Sequence, residues 1–185
     1  AASNYAAIGE VMPSEHGKLS LAMRRPMGVI TCISPWNFPV ALCFIDAVPA
    51  LLAGCAVFVK PSEVTPRFVE PAMRSIAAVP ELAEVFRIQP GARATGEALI
   101  AQSDVVCFTG SVATGRLVAE NAARHFIPSF LELGGNDPLI VMEDADLEEA
   151  ANLAVQGSYK NSGQRCTAVK RMLVHQSVAK DFTDL

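Results

Sequence analysis

The chain has 185 residues, 51% of them apolar, with 15 Lys and Arg against 19 Asp and Glu. That is enough apolar side chain for a globular core, which excludes a disordered or fibrous polymer. The mild acidity and the scatter of basic residues exclude nucleic acid and an anionic membrane as expected partners, leaving small-molecule chemistry. Five cysteines, Cys32, Cys43, Cys55, Cys107 and Cys166, make an odd count, and the first four sit in apolar runs. A reduced, cytoplasmic protein is expected. There is no Cys-x-x-Cys pair, and His16, His125 and His175 are far apart, so no metal site is expected and each histidine reads as a surface or packing residue.

Before Arg25 the alternation Lys18-Leu19-Ser20-Leu21-Ala22-Met23 predicts a half-exposed strand, one arm of a hairpin over residues 1–26. Such an arm pairs with a partner subunit or lies at an ordinary sheet edge. No basic region leads into a short apolar core, so no secretory leader is expected. The stretch 28–59 has Asp46 as its one charge and is apolar enough to suggest a membrane span. Pro35, Pro39 and Pro49 divide it, and its ends are rich in strand formers. It therefore predicts a buried unit of strand 29–33, helix 39–53 and strand 56–59.

Thr65-Pro66 reads as a helix start, with a capping hydroxyl and a proline in the first turn, for a helix running towards residue 78. Strand 85–88, helix 95–101, strand 105–108 and helix 111–124 follow. Strands 130–133 and 139–142 complete the set, then helix 146–159, strand 169–175 and a final helical run. The strands are continuously apolar rather than alternating, the pattern of a parallel sheet covered on both faces. The expected class is α/β, a doubly wound parallel sheet.

Four strand ends and one loop carry candidate chemistry. Gly163-Gln164-Arg165-Cys166-Thr167 places a thiol in a polar loop, with Arg165 as a local source of positive potential, and Glu132 lies upstream in Leu131-Glu132-Leu133-Gly134-Gly135. A thiol nucleophile with a carboxylate base is the functional reading; a buried small hydrophobe is the alternative for Cys166. Gly110, Ser111 and Gly115 follow the strand 105–108 at a helix N-terminus, where free N–H groups and the helix dipole favour phosphate; the alternative is a plain turn. Lys60-Pro61-Ser62-Glu63 follows another strand and can reach a ribose, or the two charges are solvated. In Ser34-Pro35-Trp36-Asn37-Phe38-Pro39 two prolines stiffen a turn whose Asn37 amide can donate to an oxyanion, or Asn37 caps the next helix.

These boxes, in this order, resemble the NAD(P)-dependent aldehyde dehydrogenase superfamily from about residue 9 to the end of the chain. The resemblance implies a Rossmann-like cofactor domain over 27–133 and the start of an α/β catalytic domain over 134–185. It implies that Cys166 attacks the aldehyde carbon to form a thiohemiacetal. Asn37 and the Cys166 backbone N–H would hold the alkoxide, and after hydride loss Glu132 would activate the water that cleaves the thioester. Cofactor contacts are implied at Ile33, Ser34, Pro35, Trp36, Lys60, Ser62, Glu63, Gly110, Ser111, Gly115, Leu133 and Gly134, and substrate contacts at Arg165 and Thr167. The negative charge of Glu63 favours NAD over NADP. The string 161–171 looks like the branch of phosphonoacetaldehyde, lactaldehyde and non-phosphorylating glyceraldehyde-3-phosphate dehydrogenases. The expected substrate is thus a small anionic aldehyde such as phosphonoacetaldehyde, with a backbone-bracing role or a surface ion pair as the alternative for Arg165. The resemblance implies an internal stretch of a subunit that forms a homodimer or homotetramer, lacking the leading helices and the later Glu-x-Phe-Gly-Pro segment. The competing function is a catalytically silent cofactor-binding or assembly module.

Overall fold

The computed structural model describes residues 25–185. The expected hairpin arm therefore lies outside the described residues, apart from Arg25 and Pro26. The chain divides into two units, Ala1–Glu132 and Leu133–Leu185.

In the first unit, runs carrying β-branched or aromatic residues form β1 (Val29–Ile33), β2 (Ala56–Lys60), β3 (Phe86–Ile88), β4 (Val105–Thr109) and β5 (Ser129–Glu132). They make one parallel sheet in the order β3-β2-β1-β4-β5. The chain steps outward from β1 to β3 and then crosses back to place β4 on the other side of β1. The strand order thus reverses between β1 and β4, where open parallel sheets collect ligands beyond their carboxyl ends. This is the expected doubly wound α/β class.

Between β1 and β2 the expected single helix is two, α1 (Pro39–Phe44) and α2 (Ala47–Leu52). Pro49 has no N–H, and its ring crowds the carbonyl four residues back, that of Ile45, so the break falls at Ile45 and Asp46. The helix expected from Thr65 opens instead as a short 3-10 turn, Pro66–Phe68, before α3 (Val69–Ala77). The Thr65 hydroxyl does not cap it; it donates to the Trp36 carbonyl at 3.1 Å. A six-residue helix, α4 (Pro80–Val85), precedes β3 and was not expected; Pro80 in its first turn and Glu81 beside it are its sequence signals. α5 (Arg93–Ile100) and α6 (Val112–Arg124) flank β4.

The stretch 28–59 is thus a strand, two short helices and a strand, and no helix among the described residues is long and apolar enough to cross a membrane. One sheet face buries Ile30, Cys32, Val57, Val59, Phe86 and Ile88 against Cys43, Ala47 and Val69 of α1, α2 and α3. On the other, Val106 and Phe108 are buried on the side of α5 and α6, which bury Leu99, Ile100, Val118 and Ala122. Each such aliphatic side chain contributes about 1.5–3 kcal/mol when fully buried. Two of the buried polar side chains satisfy each other: the Thr31 and Ser103 hydroxyls share a 2.6 Å hydrogen bond, and Ser103 also donates to Leu99 O.

The second unit pairs β6 (Asp137–Val141) with β7 (Val169–Val174) in parallel, joined through α7 (Leu147–Tyr159) and followed by α8 (Ala179–Asp184). The strand expected at 139–142 therefore does not complete the first sheet but belongs to a separate two-stranded one. Asp146 caps α7 by accepting from the Glu149 N–H at 3.1 Å.

Candidate active site

The register of the five-stranded sheet lines up the sequence-predicted residues along its carboxyl edge. Lys60 pairs with Ile33, Ile33 with Phe108, and Thr109 with Glu132. The loops that leave this row carry Ser34 to Asn37, Ser62 and Glu63, and Gly110 and Ser111. Ile33 and Phe108, far apart in sequence, are thus brought to adjacent strand ends, spaced about 4.8 Å per strand.

Lys60 ends β2 almost fully buried, at 6% exposure, and its ammonium donates to Glu63 Oε2 at 2.7 Å. The hydrogen bond from Lys60 holds the Glu63 carboxyl below its usual range, so it is ionised at neutral pH. The two charges are therefore not independently solvated. Ser111 caps α6, accepting from the Thr114 N–H at 3.2 Å, and Gly115 is buried one turn further on. The remaining first-turn N–H groups of α6 stay available to an anion.

After β1, Ser34 is buried and shares a 2.7 Å hydrogen bond with the Cys43 thiol, tying the turn to α1. Thr65 fixes the same turn through the Trp36 carbonyl. Sequence reading missed both ties. Asn37 is half-buried and does not cap α1, whose N-cap is Phe38. Pro35 and Trp36 lie in the turn with Trp36 exposed.

Glu132 ends β5, exposed, and its carbonyl accepts from the Gly110 N–H at 2.9 Å. Asp46, between α1 and α2, lies within its field: burial pushes the Asp46 carboxyl up, and the charge of Glu132 pushes it further. Asp46 was not among the expected site residues, although a lone charge in an apolar stretch is the signal that marks it. A concavity of about 500 Å³ opens beside it, lined by Ile30, Pro49, Ala53, Cys107 and Phe130 among others. Its walls are mostly apolar and come from the sheet face rather than the carboxyl edge.

In the second unit, Cys166 is exposed. The alternative of a buried hydrophobe is therefore excluded for Cys166, whereas it describes Cys32, Cys43 and Cys55, which are buried. Cys32 faces Cys107 on the neighbouring strand, and the hydrogen bond between the thiols, with burial, pushes the Cys32 thiol far up. The Cys166 loop begins with three consecutive left-handed residues, Asn161 (φ 56°), Ser162 (φ 55°) and Gly163 (φ 70°). Gln164 N donates back to Asn161 O at 3.0 Å, and Arg165 N to Gly163 O at 2.9 Å.

The Arg165 guanidinium turns onto α7, donating to Gly157 O at 2.7 Å and to Gln156 O at 3.5 Å. These contacts are of the bracing kind given as the alternative for Arg165. Lys170 adds its ammonium to the carbonyls of Arg165 and Ala168, at 3.4 and 3.3 Å. Gly135 lies so close that a Cβ there would come within 2.6 Å of the Cys166 carbonyl oxygen. Thr167 and Gly134 are exposed and Leu133 is half-buried.

A model of the aldehyde dehydrogenase family matches residues 1–185. The chain belongs to the aldehyde dehydrogenase family. It is 42% identical to a vanillin dehydrogenase of Amycolatopsis, over 95% of this chain and 37% of that protein. Identity to a putative NADP-dependent succinate-semialdehyde dehydrogenase of Mycolicibacterium smegmatis is 42%, over 85% and 31%. For an NAD-dependent benzaldehyde dehydrogenase of Pseudomonas putida it is 39%, over 95% and 37%. Among solved structures, a putative aldehyde dehydrogenase from Anabaena variabilis superposes with a TM-score of 0.91 at 46% identity, covering 99% of this chain and 39% of that one. Betaine aldehyde dehydrogenase of Staphylococcus aureus with NAD+ superposes with a TM-score of 0.86 at 33% identity, covering 98% and 37%. The chain thus spans well under half the length of these family members.

Proposed function

We propose that this chain is the cofactor-binding and nucleophile-bearing part of an enzyme that oxidises an aldehyde to a carboxylic acid. The observation that carries the reading is the alignment of Lys60, Ile33, Phe108 and Glu132 along one carboxyl edge, in a chain of this family with an exposed Cys166. The donor set there suits a dinucleotide. Lys60 and Glu63 would hold the adenosine ribose, and Ser111 with the first turn of α6 the pyrophosphate. Ile33, Ser34, Pro35, Trp36, Ser62, Gly110, Gly115, Leu133 and Gly134 would line the same ligand. The ionised Glu63 carboxylate repels a 2′-phosphate, which favours NAD over NADP.

Cys166 would form the S–C bond to the aldehyde carbon, with the Asn37 amide donating to the developing alkoxide. A nicotinamide, when bound, supplies the hydride acceptor. Glu132 would then take a proton from the water that attacks the thioester, releasing the acid and freeing the thiol. Hydrolysis rather than transfer to coenzyme A follows from that base.

For the substrate we propose a small anionic aldehyde such as phosphonoacetaldehyde, supported by the string around Cys166, with Thr167 at its side. The succinate-semialdehyde relatives also act on an anionic aldehyde, whereas those for vanillin and benzaldehyde act on aromatic ones. The five unpaired cysteines support a reduced, cytoplasmic setting. Assembly as a homodimer or homotetramer belongs to the same proposal.

The test is production of reduced nicotinamide by the purified chain with NAD and, in turn, phosphonoacetaldehyde, succinate semialdehyde and benzaldehyde. Turnover with an anionic aldehyde that disappears in Cys166→Ala is expected. Folded protein that binds NAD but turns over none of the three would instead support the silent cofactor-binding module.

A further inference from the structure

The turn that delivers Cys166 is held in an unfavourable backbone. Three left-handed residues in a row leave Asn161 and Ser162, both with Cβ atoms, at φ values that cost about 1 kcal/mol or more each. Local hydrogen bonds recover part of this: Asn161 Nδ2 donates to Gln164 O at 3.4 Å. Such a conformation persists only when surrounding structure over-determines it.

The restraint with the longest reach is Arg165. Its Nη2 donates at 2.7 Å to Gly157 O, a last-turn carbonyl of α7 that has no further helical N–H to accept. A cation there also opposes the negative end of the helix dipole. The anchor point is itself rigid, because α7 lies so close to β7 at Gly157 that a Cβ would come within 2.8 Å of Val169 Cγ2. The guanidinium Nε is buried and makes no hydrogen bond among the described residues. The side chain is thus drawn in against α7, and the carbonyl of Arg165 is held by Lys170.

We propose that Arg165 is a positioning residue for the nucleophile, clamping the strained turn to the last turn of α7, and not an anion-binding contact. This rests on the reading of Cys166 as nucleophile given above. It accounts for a long, charged side chain next to the thiol without placing that charge on the substrate. A lysine can reach the same carbonyl with one donor but lacks the planar fork, so it replaces the clamp in part.

The experiment uses the 185-residue chain and its Arg165→Met and Arg165→Lys variants, with two readouts. Amide hydrogen exchange over residues 161–168 needs no chemistry; it is expected to quicken about 10-fold or more in Arg165→Met and less in Arg165→Lys. Acylation is followed with p-nitrophenyl acetate and with a p-nitrophenyl ester bearing a distal sulfonate. In both, the Cys166 sulfur forms the S–C bond as the C–O bond to nitrophenolate breaks. The acylation rate is expected to fall by a similar factor, on the order of 10-fold or more, for both esters at unchanged half-saturation, with partial recovery in Arg165→Lys. Unchanged exchange in Arg165→Met overturns the clamp. So does a loss confined to the half-saturation of the sulfonated ester, which makes Arg165 an anion contact. If the wild-type chain forms no acyl-Cys166 at all, the nucleophile reading fails, and the exchange result alone decides whether the clamp exists.

Discussion

Replacing Gly135 by alanine sets a methyl group 2.6 Å from the Cys166 carbonyl oxygen and 2.6 Å from Asp137 Oδ1. The carboxylate can rotate away, but the carbonyl is backbone. To regain ordinary contact at about 3.4–4 Å, the Cys166 main chain must move by roughly 1 Å, a misplacement that can remove about 100-fold in rate from a positioned nucleophile. Overpacking of this kind also costs about 1–3 kcal/mol of stability. The neighbouring Gly134 is the internal control, because nothing lies within 4 Å of a Cβ built there. The assay is the burst of nitrophenolate released as p-nitrophenyl acetate acylates Cys166, read beside a thermal melt of each variant. Gly135→Ala is expected to lose about 10- to 100-fold in burst rate with a modest fall in melting temperature, and Gly134→Ala to keep both. Equal burst rates in the two variants, with Gly135→Ala still folded, would refute the close approach of this glycine to the nucleophile's backbone.

Glu63→Ser removes the charge proposed to repel a 2′-phosphate, so the ratio of NADP to NAD affinity should rise about 10-fold, as measured by equilibrium binding; an unchanged ratio removes Glu63 from the ribose site. Because the Glu63 pKa is lowered in the fold, its contribution to stability is present above the unfolded carboxylate pKa and lost as pH falls through the folded one. Asp46 has the opposite sign. Its raised pKa means that it binds a proton more readily folded than unfolded, so stability falls as pH rises through the folded value. Asp46→Asn should raise the neutral-pH melting temperature and flatten that decline, whereas an unchanged pH profile would show that burial does not burden this carboxylate. Ser103→Ala leaves the buried Thr31 hydroxyl without its 2.6 Å partner and should cost about 1–3 kcal/mol in denaturant unfolding, most of which a Thr31→Val partner change should recover.

Much of this architecture was readable from local pattern. The runs at β1, β2 and β4 are apolar over consecutive residues, and a strand buried on both faces leaves that trace. Ser111 and Asp146 marked their helix starts because a capping side chain is a one-residue signal. What escaped was what depends on distant partners. The effect of Pro49 on Ile45 was in the sequence, but an alanine-rich stretch reads as one helix until the missing N–H is counted. Nothing local to residues 137–141 says that β6 joins β7 instead of the first sheet. Thr65 looked like a cap, yet its hydroxyl found the Trp36 carbonyl across a loop. At the candidate site, residue types and order singled out Cys166, Glu132, Lys60 and Glu63 for the proposed roles, whereas the direction taken by the Arg165 side chain was set by a helix carbonyl eight residues earlier in the chain.

For a dinucleotide held at the carboxyl edge of the five-stranded sheet, the chain carries its own reporter. Trp36, the sole tryptophan, sits in the turn after β1 within that edge. Its fluorescence should change saturably as NAD is added to the purified chain, and the midpoint should move at least about 10-fold higher in Lys60→Met, checked to be folded. A saturable change with the same midpoint in Lys60→Met, or no change at all in folded wild-type protein, would contradict the assignment.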